Sequence, residues 1–391
     1  MSNQDFFKSM RTIQTYILDD LENIQNPIKE NYEKVTKFIL DVIGHDSDRI
    51  KSILYMISHI SNNHHRTPDF FNKIFRIILL LKQEIKSNLS NNTIFNIFQR
   101  NKRVLLFLFD EDILTIDDNL LSKFSNKKYI QYHYNEYFNK EVLSFHKKSV
   151  NNEMDGEEED NYEDLRRIGE NEKYICELIR NDLIKEFIIY VNKNNIPLNT
   201  KIHTSIYETN KFLIKNTPTL IEYSAFFGSI EIFQYLNLNN VELSPMLWLY
   251  AIHGSNEEII HLVEDLHIMP KDKTFLKCLK ESIKCHHNNI AEYIINNYIQ
   301  ESICIDMDKN IKDNLYSYCF HYYNYKFFPE DYNATFLFYA CKYDYLDFVK
   351  YLLNSENVDI NKIQYEIRIS EIIFIKFKFY HIYSISTINF K

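Results

Sequence analysis

Glycine and proline are scarce in this chain, five and seven residues out of 391. Tight β-turns depend on residues that reach positive φ or preset φ, so this scarcity excludes a turn-rich β architecture. It points instead to helices joined by Asn- and Asp-based loops. Long apolar runs are also missing: runs such as residues 77–81 fall far short of a membrane span, and none is expected. The opening Met1-Ser-Asn-Gln-Asp-Phe-Phe lacks the basic-then-apolar pattern of a secretory signal, which sets a cytoplasmic location as the expectation. The six cysteines (Cys176, Cys278, Cys285, Cys304, Cys319, Cys341) contain no CxxC pair. In a reducing compartment they read as small apolar side chains. An excess of basic charge is lacking too. A formal net charge of -9 opposes the phosphate attraction behind most nucleic-acid affinity, and nucleic acid is set aside as a partner.

Catalytic fingerprints are absent as well. There is no GxSxG, HExxH, GxxxxGK[ST] or GxGxxG, and five glycines leave little material for a phosphate cradle. The expectation is a protein that is not an enzyme and takes no cofactor. A Cys/His nucleophile whose members meet only in space is the remaining enzymatic alternative. Cys278, Cys285, His286 and His287 lie close in sequence, with His64-His65 elsewhere, but their spacing does not repeat as the ligands of a structural zinc module do. No metal site is expected.

What is present is helical periodicity. Residues 32–43 place Val35, Phe38, Ile39 and Val42 on one stripe that stops at Gly44. Ile50, Ile53, Leu54, Ile57 and Ile60 repeat at three and four, another helix begins at Thr67-Pro-Asp69, and a short one spans 93–98. The apolar hexapeptide at 104–109 suits a buried helix turn as well as a strand. Residues 1–146 thus form an N-terminal helical domain. Residues 147–165 are too acidic and polar to bury and read as a disordered linker.

From residue 166 a self-similar unit recurs. Thr219-Leu-Ile-Glu-Tyr-Ser-Ala-Phe-Phe-Gly228 fits the ankyrin pattern T-P-L-H-x-A-A-x-x-G, and Glu231-Ile-Phe-Gln-Tyr-Leu236 supplies the second helix. The same frame fits 245–254 with 258–263, 277–286 with 290–294, and 335–344 with 347–353; a weaker copy occupies 173–182 with 186–191. The glycine-equivalent positions are then 182, 228, 254, 286 and 344, at irregular steps. An inserted helix at 205–213 fills the first long step, and a degenerate copy near 314–324 the last. The fold expected is all-α: an ankyrin-type helix-pair solenoid with irregular repeats over 166–361, preceded by a small helical domain.

Arg180-Asn-Asp-Leu-Ile, Phe187-Ile-Ile-Tyr-Val-Asn-Lys, Tyr223-Ser-Ala-Phe-Phe-Gly-Ser and Leu249-Tyr-Ala-Ile-His-Gly carry a resemblance over residues 175–299, about a third of the chain. This stretch resembles the divergent ankyrin-type domain of unknown function in trichomonad-type protist ankyrin proteins. His65-Arg-Thr-Pro-Asp-Phe-Phe and Ile94-Phe-Asn-Ile-Phe-Gln-Arg-Asn-Lys-Arg resemble the helical leader of the same proteins. The resemblance implies stacked repeats that bind protein, with no enzyme and no cofactor. The chain departs from it after Asn361, where residues 362–391 form an atypical apolar tail without a helix-pair pattern. A truncated or non-functional product of an ankyrin-family gene is therefore the alternative to a working scaffold.

In the ankyrin pattern the two positions before the glycine face the concave side. They map to Arg180, Asn181, Phe226, Phe227, Ile252, His253, Lys284, Cys285, Lys342 and Tyr343, the expected surface for an unidentified protein partner of a monomeric chain. Phe226, Phe227 and Tyr343 are the sharper candidates, because aromatic anchors dominate interface energetics. Phe226 and Phe227 packing on a neighbouring repeat or on the helical head is the competing reading. Trp248, in the usual His slot of its repeat, is expected in the core.

Overall fold

The computed structural model describes residues 3–22, 29–44, 46–67, 69–126, 133–149, 160–299, 307–328, 334–343, 345 and 349. Among them every regular element is helical, and the one β-bridge joins Lys201 to Thr219. The chain is all-α over these residues. The first helices are α1 (Asn3–Glu22), α2 (Lys29–Ile43) and α3 (Ser47–Asn63). α2 buries Ile39 and Val42 and ends at Gly44, at φ 54 with its N–H on the Leu40 carbonyl at 3.0 Å. α3 buries Ile50, Ile53, Leu54, Ile57 and Ile60 completely, the stripe that the spacing predicts.

Next come α4 (Phe70–Leu80), α5 (Lys82–Asn88), α6 (Asn91–Phe98), α7 (Lys102–Asp110) and α8 (Asp118–Phe124). Side-chain N-caps start three of them: Ser90 caps α6, Asn101 caps α7 and Asp117 caps α8. The Asn101 cap decides the ambiguous hexapeptide at 104–109 in favour of helix. Three more follow: α9 (Tyr134–Tyr137), α10 (Asn139–Ser149) and α11 (Asp160–Ile168). Both ends of the expected acidic linker are thus helical, and 150–159 lie outside the described residues.

The repeats form helix pairs. They are α12 (Tyr174–Arg180) with α13 (Ile184–Lys193), α15 (Leu220–Phe227) with α16 (Ile230–Leu238), α17 (Leu247–Gly254) with α18 (Glu257–Asp265), and α19 (Leu276–Cys285) with α20 (Asn288–Ile294). The insertion between the first two pairs holds α14 (Lys211–Asn216), shorter than expected because Asn210 caps it there and residues 205–209 stay irregular. First helices pack on first helices, α12 on α15 on α17 on α19, and second helices on second helices, α13 on α16 on α18. One continuous apolar core results.

Few glycines suffice because other residues take the left-handed turns. Asp182, Gly228, Ser255 and His286 end the four first helices at positive φ, and Asn195, Asn240 and His267 end the first three second helices the same way. Asn and Asp tolerate this region better than other side-chain-bearing residues. Most of these turns close with an N–H bonded five residues back, as in Leu183 to Leu178, Ser229 to Ser224 and His287 to Ser282, at 2.9–3.0 Å. The third repeat corrects the alignment by one residue. The left-handed position is Ser255, and Gly254 is the last residue of α17.

The chain divides into two compact units, one of residues 57–295 and one of 1–56 with 296–391. The expected boundary near 147 is therefore corrected. Residues 57–146 belong with the helix pairs, held by buried polar ties such as Lys102 Nζ to the Ile206 carbonyl (2.7 Å) and Tyr137 Oη to the Arg166 carbonyl (2.6 Å). In the other unit, α21 (Met307–Tyr322) packs on α22 (Ala334–Lys342). There Gln14 of α1 bonds Asn324 and the Tyr325 N–H, while Phe7, Tyr325, Phe328, Phe320 and Phe336 share a ring cluster. The degenerate copy near 314–324 falls largely inside α21. Residues 350–361 of the last expected repeat and the tail 362–391 lie outside the described residues.

Candidate functional site

Each helix pair turns on a left-handed residue followed at once by the N-cap of the second helix. In three of the four turns a side chain reaches the neighbouring pair. The Asp182 carboxylate accepts from the N–H groups of Glu231 and Ile232, both at 3.0 Å. Ser229 donates to the Ile179 carbonyl at 2.5 Å, and Asn256 donates to the Gly228 carbonyl at 3.1 Å. The fourth turn, His286-His287, is built differently.

The positions that the repeat pattern assigns to a partner are largely filled by the chain itself. Arg180 pairs with Glu170 at 2.8 Å and donates to the Asn171 carbonyl and the Tyr223 hydroxyl. Phe226 is buried against the rings of Phe212 and His253, which also meet each other, and Phe212 of the inserted helix touches Tyr250 and lies under the Lys284 ammonium at 5.6 Å. Ile252, His253 and Cys285 are buried too, so they offer no surface to a partner. Asn181 is exposed and Phe227 half-buried against Tyr223 and Phe226. Lys342 and Tyr343 belong to the other unit, where Lys342 is exposed and the Tyr343 hydroxyl lies 3.0 Å from that of Ser317. Aromatic area that the spacing assigns to a partner is thus covered by the insertion, which sequence periodicity alone does not place.

Among the described residues, two clusters of metal-ligating side chains lie inside the 57–295 unit. In the first, His253 Nε2 meets Glu281 at 2.7 Å, Lys284 Nζ meets the same carboxylate at 2.6 Å, and Cys285 Sγ lies 3.4 Å from His253 Nδ1. Burial alone would raise the Glu281 carboxyl, but Lys284 and the His253 hydrogen bond outweigh it and hold it at about 2. Burial and the nearby Glu281 charge push the Cys285 thiol well up. A protonated, buried thiol is a poor nucleophile, so this Cys/His contact reads as core polarity.

The second cluster joins His64 and His65, in the loop after α3, to His287 at the N-cap of α20. The ring centroids are 4.4 Å (His64 to His65), 4.6 Å (His64 to His287) and 5.2 Å (His65 to His287) apart. His64 Nδ1 lies 2.9 Å from the Cys285 carbonyl. Sequence spacing sets His287 more than two hundred positions from the His64-His65 pair, and only the packing of the loop after α3 on the fourth pair unites them.

Among the described residues a cavity of about 490 Å³ is lined by Phe109, Ile116, Glu141, Glu163 and Arg166. Arg166 is paired there with Glu141 and Glu163, at 2.7 and 2.9 Å, and Lys140 and Arg167 of the same lining pair with Glu163 and Asp110.

No family model, curated protein or solved structure matches the chain.

Burial of the histidines carries a pH dependence. Burial pulls the His65 imidazole down to about 4 and holds His64 and His287 well below the usual range. The unfolded chain takes up a proton on His65 near 6.5, and the folded chain only near 4. The His65 contribution is therefore full above pH 6.5, falls as the pH drops toward 4 and levels off below it. His65 alone contributes about 3 kcal/mol over that window. Thermal melts in chelator-containing buffer from pH 7.5 to 4 are expected to show this loss; a melting temperature flat between 6.5 and 4.5 would contradict it.

Proposed function

We propose that the chain is a non-catalytic protein-binding scaffold of ankyrin type, and that its partner docks on the outer row of second helices. The supporting observation is one repeated position. Ile189, Tyr235, Leu262 and Tyr293 each lie seven residues after the left-handed residue of their pair, on α13, α16, α18 and α20, and none of the four is fully buried. Ile189 is 66% exposed, and Leu238, on the same face of α16, is 79% exposed. α13, α16 and α18 pack in that order, which puts the first three of these positions on successive helices. A row of large apolar and aromatic groups, rimmed by Lys185, Glu231, Gln234 and Glu258, has the make-up of a protein-binding patch.

The concave face expected from the repeat pattern is occupied by Phe212 and the loop after α3, which is why the surface moves outward. A captured partner should bind Ile189→Glu plus Tyr235→Glu at least tenfold more weakly, while the variant melts like the parent chain. Phe226→Ala plus Phe227→Ala should instead lower the melting temperature, because Phe226 is core. Equal binding by the outer-row variant would remove this surface from consideration.

A further inference from the structure

We propose that His64, His65 and His287 bind one divalent transition-metal ion of the zinc class, which ties the loop after α3 to the fourth helix pair. This goes beyond the scaffold reading and does not depend on it.

The donor atoms of the three imidazoles all lie within 4.8 Å of one another. A tetrahedral zinc ion with bonds of about 2.0–2.1 Å to nitrogen needs ligand atoms roughly 3.3 Å apart, a closure that small side-chain rotations supply. Buried polar atoms ordinarily have a partner. His287 is 1% exposed, and neither of its ring nitrogens has a hydrogen-bond partner; His65 Nδ1 is likewise buried and unpartnered. The equivalent N-caps of the preceding pairs, Ser229 and Asn256, each bond a carbonyl of the pair before. At this turn the imidazole faces two others instead.

His64 has the arrangement of an oriented ligand. A backbone carbonyl can only accept, so Nδ1–H donates to Cys285 and the lone pair sits on Nε2. A carbonyl behind the ring in this way fixes the tautomer and strengthens the donor, as it does for most metal-bound histidines. Burial keeps all three rings neutral, the form that coordinates. Three imidazoles without a thiolate or carboxylate suit zinc, copper, nickel or cobalt and do not suit magnesium or calcium. The neighbouring His253, Glu281 and Cys285 set does not compete, because its carboxylate is already bound by Lys284 and His253.

The test uses the full chain without added histidines, stripped by a chelator and titrated with Co²⁺, then with Zn²⁺ in competition. One equivalent of Co²⁺ should bind with the visible absorption of a four-coordinate ion, Zn²⁺ should displace it, and the melting temperature should rise. His65→Gln and His287→Asn should each weaken binding at least a hundredfold. Asn at 287 retains the capping side chain used at 256, and cooperative metal-free melting certifies that each variant folds. Should His287→Asn not fold, His65→Gln decides alone. The proposal is overturned if the parent chain binds neither ion more tightly than about 10 μM, a weak affinity for three preset imidazoles. It is equally overturned if folded variants bind as the parent does.

Discussion

Gly254→Ala is expected to destabilise the helix-pair unit by about 3 kcal/mol, even though alanine is the better helix former by about 1 kcal/mol. A Cβ at 254 would lie 2.1 Å from the Ala225 carbonyl oxygen and 3.0 Å from the Gly228 nitrogen, both backbone atoms of the adjoining turn. Backbone cannot rotate away as a side chain can, so α15 and α17 must separate along a packed interface. In a unit of this size the loss lowers the melting temperature by roughly 6–12 °C. Gly228→Ala supplies the comparison. Its Cβ would meet the Gly254 carbonyl at 3.2 Å from a left-handed backbone, where Ser255 and His286 show that side chains are accepted in equivalent turns. That substitution should cost about 1–2 kcal/mol. Trp248, the single tryptophan, gives a fluorescence signal for both melts, and the reverse order of effects would refute this account of the two glycines.

Trp248→Ala should remove about 4 kcal/mol, the upper range for a buried aromatic truncated to alanine. The indole is 1% exposed, packs edge-on against Phe275 at 5.2 Å, and donates Nε1–H to the Ile268 carbonyl. Truncation leaves a cavity and deprives that carbonyl of its donor. Phe275 itself sits at φ 55, a conformation that disfavours a bulky residue and that persists here under packing by the indole. Trp248→Phe keeps most of the ring and loses the hydrogen bond, for about 1–2 kcal/mol. Circular dichroism during urea unfolding measures both variants; equal stability of Trp248→Ala and the parent would place the indole outside the core.

The stripe on α3 and the helix pairs were legible because each depends on residues three, four or ten apart. The use of Asn and Asp in the connecting turns was legible in the scarcity of glycine, whereas Ser255, His267 and His286 at positive φ were not. The register of the third repeat was not. Gly254 matches the repeat glycine by spacing, yet its lack of a Cβ serves close approach to Ala225 and not a positive φ. Nor could spacing show that Phe212 covers the expected partner positions, since it belongs to an insertion outside the repeat frame, or that residues 57–146 join the array, since ties such as Lys102 to Ile206 join segments remote in sequence.

By itself, then, the sequence determined helices, their pairing and their turns, because local periodicity and capping chemistry act within a few residues. Which surface stays open and which side chains meet in the buried His64, His65 and His287 cluster were decided only by tertiary packing. Burial of long-range apolar area chooses those neighbours, and no short stretch of sequence encodes that choice.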